Sequence, residues 1–234
     1  ERLVCNKIIS VSEGMRRRLI EEYRYPKEKV VAILNGVNLS QFSGRREMSV
    51  RKTLKIGELD NVLVCIARLE QRKRVDVLLR AVALVLKAGH PCKCIIVGDG
   101  ELQNALVNQS LELGLSESVF FVGFAQDVRP YLAASNIYVA NSEREGSPLT
   151  LAEAMAAGLP CIASDIAGHN EVVVHEYNGL LYTVGSPESL ADCIQDLLAN
   201  RERRLAMGAN SRKRAEEYFN NDAVMAKMRA VVLN

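Results

Sequence analysis

Tryptophan is absent from this 234-residue chain, and aromatic residues together make up only 5%. So few rings cannot build the stacking platforms that hold single-stranded nucleic acid. A dominant charge of one sign is also missing: the net charge is +2, which gives no reason to expect a nucleic-acid partner. No apolar run approaches the about 20 residues of a membrane span, and no signal peptide opens the chain. There is no Cys-x-x-Cys pair. Cys5, Cys65, Cys92, Cys94, Cys161 and Cys193 are scattered, most of them inside apolar runs. Buried reduced thiols are therefore expected, in place of disulfides or a metal site. A cytoplasmic protein follows, with room for peripheral attachment to a membrane. Glu1 sits in a charged lead into a strand, which reads as a chain cut from something longer.

What is present is enough apolar residue, 48%, to bury one large core or two modest ones. Lys7 to Ser12 reads as a strand, Glu13 to Tyr23 as a helix and Val30 to Leu34 as a second strand ending in the turn Asn35-Gly36. Arg16, Arg17 and Arg18 read as a solvated helix face in preference to a membrane-binding one. Ser40 to Thr53, with Gly44, Arg45 and Arg46, reads as polar and irregular and marks a domain boundary. Apolar strands then alternate with helices: Val62 to Ala67, Cys94 to Val97, Val119 to Val122, Ile137 to Ala140, Pro160 to Ala163 and Gly179 to Tyr182. Strands apolar on both faces predict an α/β fold, a doubly wound parallel sheet covered by helices on both sides. From Pro187 onward the chain reads as two or three charged helices, with Arg212-Lys-Arg214 a solvated face.

The stretch that organises the rest runs from Glu145 to Gly158. Ser147 suits an N-cap, Pro148 the first helical position and Gly158 the left-handed residue that ends a helix. Glu153 shares a face with Leu149 and Ala156 and therefore looks inward. A lone inward carboxylate is costly without donors, and a ligand with two adjacent hydroxyls would supply them. Ligands of such sheets bind at the carboxyl ends of strands. There the sequence places Arg68 and Lys73, the tight turn Gly98-Asp-Gly100, and Glu145 in the loop before the Pro148 helix. Two cations and a helix N-terminus on one crevice suit a diphosphate. A diphosphate beside a diol acceptor describes a nucleotide.

Each of these pieces has a plainer alternative. Glu153 is equally readable as one charge at a helix's solvent edge. Arg68 and Lys73 read alone as loop surface charges, and Gly98-Asp-Gly100 as a simple strand-to-helix turn. His90 reads as the end of a helix, and His169 and His175 as surface residues or residues behind the site.

Taken together the motifs resemble the C-terminal half of the retaining GT-B glycosyltransferases of family 4, often called group 1. Glu145 and Glu153 with Ala-Met-Ala-Ala-Gly-Leu-Pro form that family's acidic motif, and Ala67-Arg68 through Lys73 to Leu79 its basic motif. Asn35-Gly-Val-Asn38 through Phe42 resembles the interdomain signature, and Ser164 to Glu171 the following loop. Arg74, Asn38 and Ala167 depart from the usual Gly, Asp and Gly. The resemblance implies a Rossmann-like domain at 43–215, a remnant of an acceptor domain at 1–42 and a crossover helix at 216–234. It implies that Arg68 and Lys73 hold a donor diphosphate, Glu153 the ribose and Glu145 the transferred sugar. Gly146-Ser147-Pro148-Leu149 would supply backbone N–H groups, Gly98 would let backbone approach the donor, and Phe124 would border the base. No cofactor or metal is implied; the substrate would be a UDP- or GDP-linked sugar and the acceptor a sugar, lipid or protein. The acceptor domain would lie elsewhere, so the chain alone is expected to bind donor without transferring. Tyr218, Phe219 and Val224 would be left partly exposed and favour self-association. A nucleotide-sugar-binding subunit acting with a partner chain is the competing expectation. A glycoside hydrolase using Glu145 and Glu153 would leave Arg68 and Lys73 without a role.

Overall fold

The computed structural model describes residues 6–42 and 48–233; Glu1, Cys5, Gly44, Arg45 and Arg46, named above on sequence grounds, lie outside them. The chain opens with β1 (Ile8–Ser10), α1 (Glu13–Glu21) and β2 (Val30–Ala32), the two strands pairing in parallel with Ile8 opposite Val30. Next come α2 (Ser49–Thr53), β3 (Val62–Ile66), α3 (Val75–Lys87), β4 (Lys93–Val97), α4 (Gln103–Glu112) and β5 (Val119–Phe121). They are followed by α5 (Arg129–Ala133), β6 (Ile137–Ala140), α6 (Leu149–Ala156), β7 (Cys161–Ser164), α7 (Ala167–Asn170) and β8 (Gly179–Tyr182). The chain closes with α8 (Pro187–Ala199), α9 (Arg201–Tyr218) and α10 (Asn221–Leu233). The stretch expected to be irregular thus contains α2, a short helix that the polar composition concealed. Among the described residues no helix is long and apolar enough to cross a membrane.

β3 to β8 form one parallel sheet of six strands in the order β5-β4-β3-β6-β7-β8. Alternation sends Leu63 and Cys65 of β3 to one face, with α3, α4 and α8, and Val62, Val64 and Ile66 to the other, with α6 and α9. Every β3 residue is buried, which is why the sequence shows a continuous apolar run there. This is the doubly wound α/β architecture that the sequence predicts. Local signals also hold. Ser186 and Asn200 cap α8 and α9 by accepting from Ser189 N and Arg203 N, and Gly158 ends α6 at φ +77°. The five cysteines among the described residues are unpaired, four of them buried.

Two expectations about the C-terminal helices fail. Phe219 and Val224 are 3% and 4% exposed, so of the three expected surface residues only Tyr218 is exposed. Val37 N donates to Phe219 O at 2.7 Å and Asn221 N to Val37 O at 3.2 Å. The break between α9 and α10 is thereby stitched to the 33–42 segment, where Phe219 packs in the same cluster as Val37 and Phe42. The ground for expecting self-association there shrinks accordingly. Nor is Arg212-Lys-Arg214 simply a solvated face. Arg212 donates to Phe42 O and Ala156 O, and Arg214 to Val172 O and Glu171 O while lying 4.6 Å over the Tyr218 ring. Only Lys213 is exposed.

Arg51 is a structural element that the sequence pattern does not reveal. It is fully buried and donates to the carbonyls of Ala134, Gly57 and Asp60 and to Asn136 Oδ1. It thereby ties α2 to the end of α5 and to the approach to β3. Arg51→Met keeps the volume and strands these acceptors. It should lower unfolding free energy by about 2 kcal/mol, the scale of an unsatisfied buried polar group, measured as a reduced denaturant midpoint. An unchanged midpoint would show that these carbonyls find water instead.

Candidate functional site

β3 and β6 are the strands at which this sheet reverses its order of addition, β4 and β5 lying to one side and β7 and β8 to the other. Loops leaving two such strands diverge above and below the sheet and open a crevice. The 67–74 loop after β3 and the 141–148 loop after β6 form its walls. The first is fixed against the β4 loop: Ala67 N donates to Val97 O at 3.0 Å and Leu69 N to Asp99 O at 2.7 Å. Gly98, at φ +133°, lies so close to β3's loop that a Cβ would come 1.9 Å from Ala67 O. That contact accounts for the glycine before any ligand is considered.

The two walls are cross-linked by charge. Glu143 N donates to Arg72 O at 2.9 Å. Lys73 Nζ is hydrogen-bonded to Glu145 Oε1, which also accepts from Ser142 Oγ at 2.6 Å. Burial pushes the Glu145 pKa up, but the hydrogen bonds from Lys73 and Ser142 outweigh it and hold it below the ordinary glutamate value. Glu145 is thus ionised and occupied. Arg74 sits at φ +47°, ψ +40°, a left-handed conformation that favours glycine. It is held there by Asp76, at 3.0 Å, and by Glu143. Arginine therefore keeps the turn the family's glycine would make, with its side chain joining the two loops.

Other groups stand unengaged. Arg68 is exposed and has no side-chain partner among the described residues. Phe124, 72% exposed, stands just beyond β5. The backbone N–H groups of Gly146, Ser147 and Leu149 have no acceptor among the described residues, and α6 carries no side-chain cap. Free amides at a helix start are an anion site in waiting. Pro148 contributes no N–H and is itself the cap residue, with α6 starting at Leu149. Ser147 is not the N-cap the sequence implied, because its Oγ accepts from Asn35 Nδ2 at 3.1 Å. It tethers the crevice to the N-terminal segment instead.

Glu153 is half-buried, with no partner among the described residues. Burial, and to a lesser extent Asp127, raises its pKa. The raised value fixes a sign. Ionisation destabilises the fold as pH climbs from the ordinary glutamate value of 4.5 through the raised folded value, and the penalty then stays constant. Glu153→Gln should therefore raise the melting temperature at pH 7 and not at pH 4. It should also weaken nucleoside binding about tenfold, since an amide cannot accept from two hydroxyls as a carboxylate can. A variant that binds nucleoside normally would remove Glu153 from the site.

Two residues behind the crevice carry no clear signal in the sequence. Ser142 carries Glu145, and its place two residues after the end of β6 was the available signal. His169 is not a surface residue: it is 1% exposed and its Nδ1 lies 3.0 Å from Ser164 O. His175, by contrast, is exposed and accepts from Leu181 N at 3.0 Å, and His90 follows the end of α3 as expected. Cys65 lies beneath the site, where burial pushes its thiol up to about 12, so it packs as a small protonated residue. A cleft of about 490 Å³ adjoins the crevice between α1 and the 143–146 and 166–168 segments. A larger depression, about 630 Å³, lies at the opposite edge, against Asn61, Asn136 and Pro160. Those residues precede strands, the end where parallel sheets do not place ligands.

Comparison with known proteins adds the following. A family model described as glycosyl transferases group 1 matches residues 48–214. An N-acetyl-alpha-D-glucosaminyl L-malate synthase of Bacillus anthracis is 28% identical over 206 residues, 88% of this chain and 54% of that protein. A GDP-mannose-dependent alpha-(1-6)-phosphatidylinositol monomannoside mannosyltransferase of Mycobacterium tuberculosis is 31% identical, over 82% of this chain and 53% of its own. Anabaena HepE, solved with UDP and glucose, superposes with a TM-score of 0.89 at 23% identity, over 98% of this chain and 63% of that one. The chain spans about half the length of the curated relatives it matches.

Proposed function

This chain belongs to the group 1 glycosyl transferases, and from that premise we propose that it is the donor-binding half of a retaining, metal-independent hexosyltransferase of family 4. The observation that carries the reading is the pairing, across one switch-point crevice, of unengaged anion donors with an unpartnered carboxylate. Arg68 and the free amides of Gly146, Ser147 and Leu149 face one need, and Glu153 the other. Arg68, Lys73 and the α6 amides hold the diphosphate of a nucleotide sugar, placing positive charge where the leaving phosphate gains negative charge. Glu153 accepts from the two ribose hydroxyls. Phe124 borders the base. Glu145 turns from Lys73 to the hydroxyls of the transferred sugar once the diphosphate arrives. The acceptor, a sugar, lipid or protein group, enters through the adjoining cleft beside α1. The donor is UDP- or GDP-linked; the mycobacterial relative is named for GDP-mannose and HepE was solved with UDP. Residues 1–42 belong to the acceptor side and α10 crosses back toward it, so residues 1–234 alone bind donor without sustained transfer.

The test is a thermal-shift panel of uridine, guanosine and adenosine diphosphates and their sugars. Ligand at a hundred times its dissociation constant stabilises by about 2.7 kcal/mol, a shift of several degrees. One base family should give it, and the free nucleoside much less. No shift with any nucleotide at millimolar concentration would overturn the reading. The retaining assignment is checked by the anomeric configuration of the product in the active enzyme, which should match the donor's.

A further inference from the structure

His169 is buried, ionisable and used by none of the roles above. Its hydrogen bonds determine its tautomer. Ser164 Oγ donates to Ser142 O at 2.6 Å, which uses the only hydroxyl hydrogen. His169 Nδ1 lies 3.0 Å from both Ser164 Oγ and Ser164 O, and a carbonyl can only accept. Nδ1 must therefore carry the proton. Burial lowers the imidazole pKa, opposed by the Ser164 carbonyl and Glu145, so the ring is neutral at pH 7 and Nε2 is a bare acceptor. Nε2 has no partner among the described residues. The ring lines a cavity of about 20 Å³ together with Lys73, Ser142, Glu145, Thr150 and Cys65. That volume suits one oxygen atom with its hydrogens, a water or a single hydroxyl. An oxygen there would have Lys73 as donor, and Glu145 and His169 as acceptors, a set that matches a sugar hydroxyl, which both donates and accepts.

We propose that His169 is a sugar-recognition residue, its Nε2 accepting a hydrogen bond from one hydroxyl of the donor's transferred sugar inserted into this cavity. The inference rests on the donor-site reading above and assigns to it a contact from the β7 loop. Ser164 and Ser142 then act together. Ser164 fixes the imidazole's tautomer and Ser142 fixes Glu145, so two acceptors for one sugar are held by one chain of hydrogen bonds.

The experiment compares nucleotide with nucleotide sugar on the whole 234-residue chain. UDP, UDP-glucose, GDP and GDP-mannose are titrated calorimetrically into wild type, His169→Phe and His169→Gln. With the base that binds, His169→Phe should weaken the nucleotide sugar about tenfold and leave the diphosphate within about twofold. His169→Gln, which retains an acceptor near the Nε2 position, should recover most of the loss. Equal losses for diphosphate and sugar would mean that His169 only shapes the loop, and unchanged sugar binding would mean that water alone fills the cavity; either overturns the proposal. Absence of all nucleotide binding in wild type would overturn the donor site itself, a distinguishable result. Should His169→Phe not fold, the wild-type imidazole ¹⁵N spectrum decides. The Nε2 resonance, unprotonated in the free chain, should move on adding the nucleotide sugar and stay put with the diphosphate; movement with both or neither refutes the contact.

Discussion

Arg68→Ala is expected to weaken nucleoside diphosphate binding by about 1.5–3 kcal/mol, the range of a charge-assisted hydrogen bond, with nucleoside binding almost unchanged. The structure makes this a clean substitution. Arg68 has no side-chain partner among the described residues, so its removal breaks no ion pair of the free protein. Lys73→Ala should weaken diphosphate binding similarly, with an added stability loss, because Glu145 then keeps Ser142 and loses its main cation. The double variant should lose roughly 3–5 kcal/mol of diphosphate affinity, more than about a hundredfold. Added salt should erode wild-type affinity and barely affect what remains in the double variant. Calorimetry with nucleoside, monophosphate and diphosphate makes the measurement. Equal losses for nucleoside and diphosphate would show that the substitutions act on folding, and the diphosphate clamp would have to be sought elsewhere.

The sheet was legible because its strands are buried on both faces; Val62 to Ile66 could be nothing else once helices flanked it. Strand order was not legible from any single strand, yet it is what turns Arg68 and Glu145, 77 residues apart in sequence, into opposite walls of one crevice. The individual charges at those walls were readable as candidates, since their positions follow strand ends. Their partners were not. Lys73 and Glu145 were assigned separate ligand groups, while the structure pairs them with each other, a contact that depends on the register of two loops. The same limit hid Arg51, whose acceptors are mostly backbone carbonyls and so carry no side-chain signature. It hid Glu171, whose carboxylate accepts from Glu13 N and Gly14 N at 2.8 and 2.7 Å and so caps a helix far away in sequence. Phe219 was expected to be left partly exposed because sequence does not say what covers it; the 33–42 segment does, through Val37 and Phe42. Ser147 was misread because a serine before Pro-Leu fits an N-cap, and only the tertiary contact with Asn35 redirects its hydroxyl.

Glu145→Gln should change two affinities in opposite directions. In the free chain Lys73 is neutralised by Glu145, and Arg72 Nη1 is 3.8 Å from the other carboxylate oxygen. A diphosphate that engages Lys73 must first take it from this carboxylate, and the repulsion between carboxylate and phosphate adds to the cost. Glutamine keeps an acceptor for Ser142 Oγ, fills the same volume and removes the charge. Diphosphate affinity should therefore rise, by about threefold to tenfold for one partly screened charge contact. The nucleotide sugar should not share the gain. Glu145 released from Lys73 is the group placed to accept from sugar hydroxyls, and a neutral amide is a weaker acceptor by about 1–2 kcal/mol. The extra affinity that the sugar confers over the bare diphosphate should accordingly drop about tenfold or more. Substrate geometry would suffer with it, and transfer in an active enzyme would fall by about a hundredfold or more if Glu145 also stabilises developing charge on the sugar. The binding arms need only this chain, two ligands and a calorimeter. A Glu145→Gln chain that binds both more weakly would mean that the carboxylate holds Lys73 in position for the phosphate; one that binds both more tightly would take Glu145 off the sugar altogether.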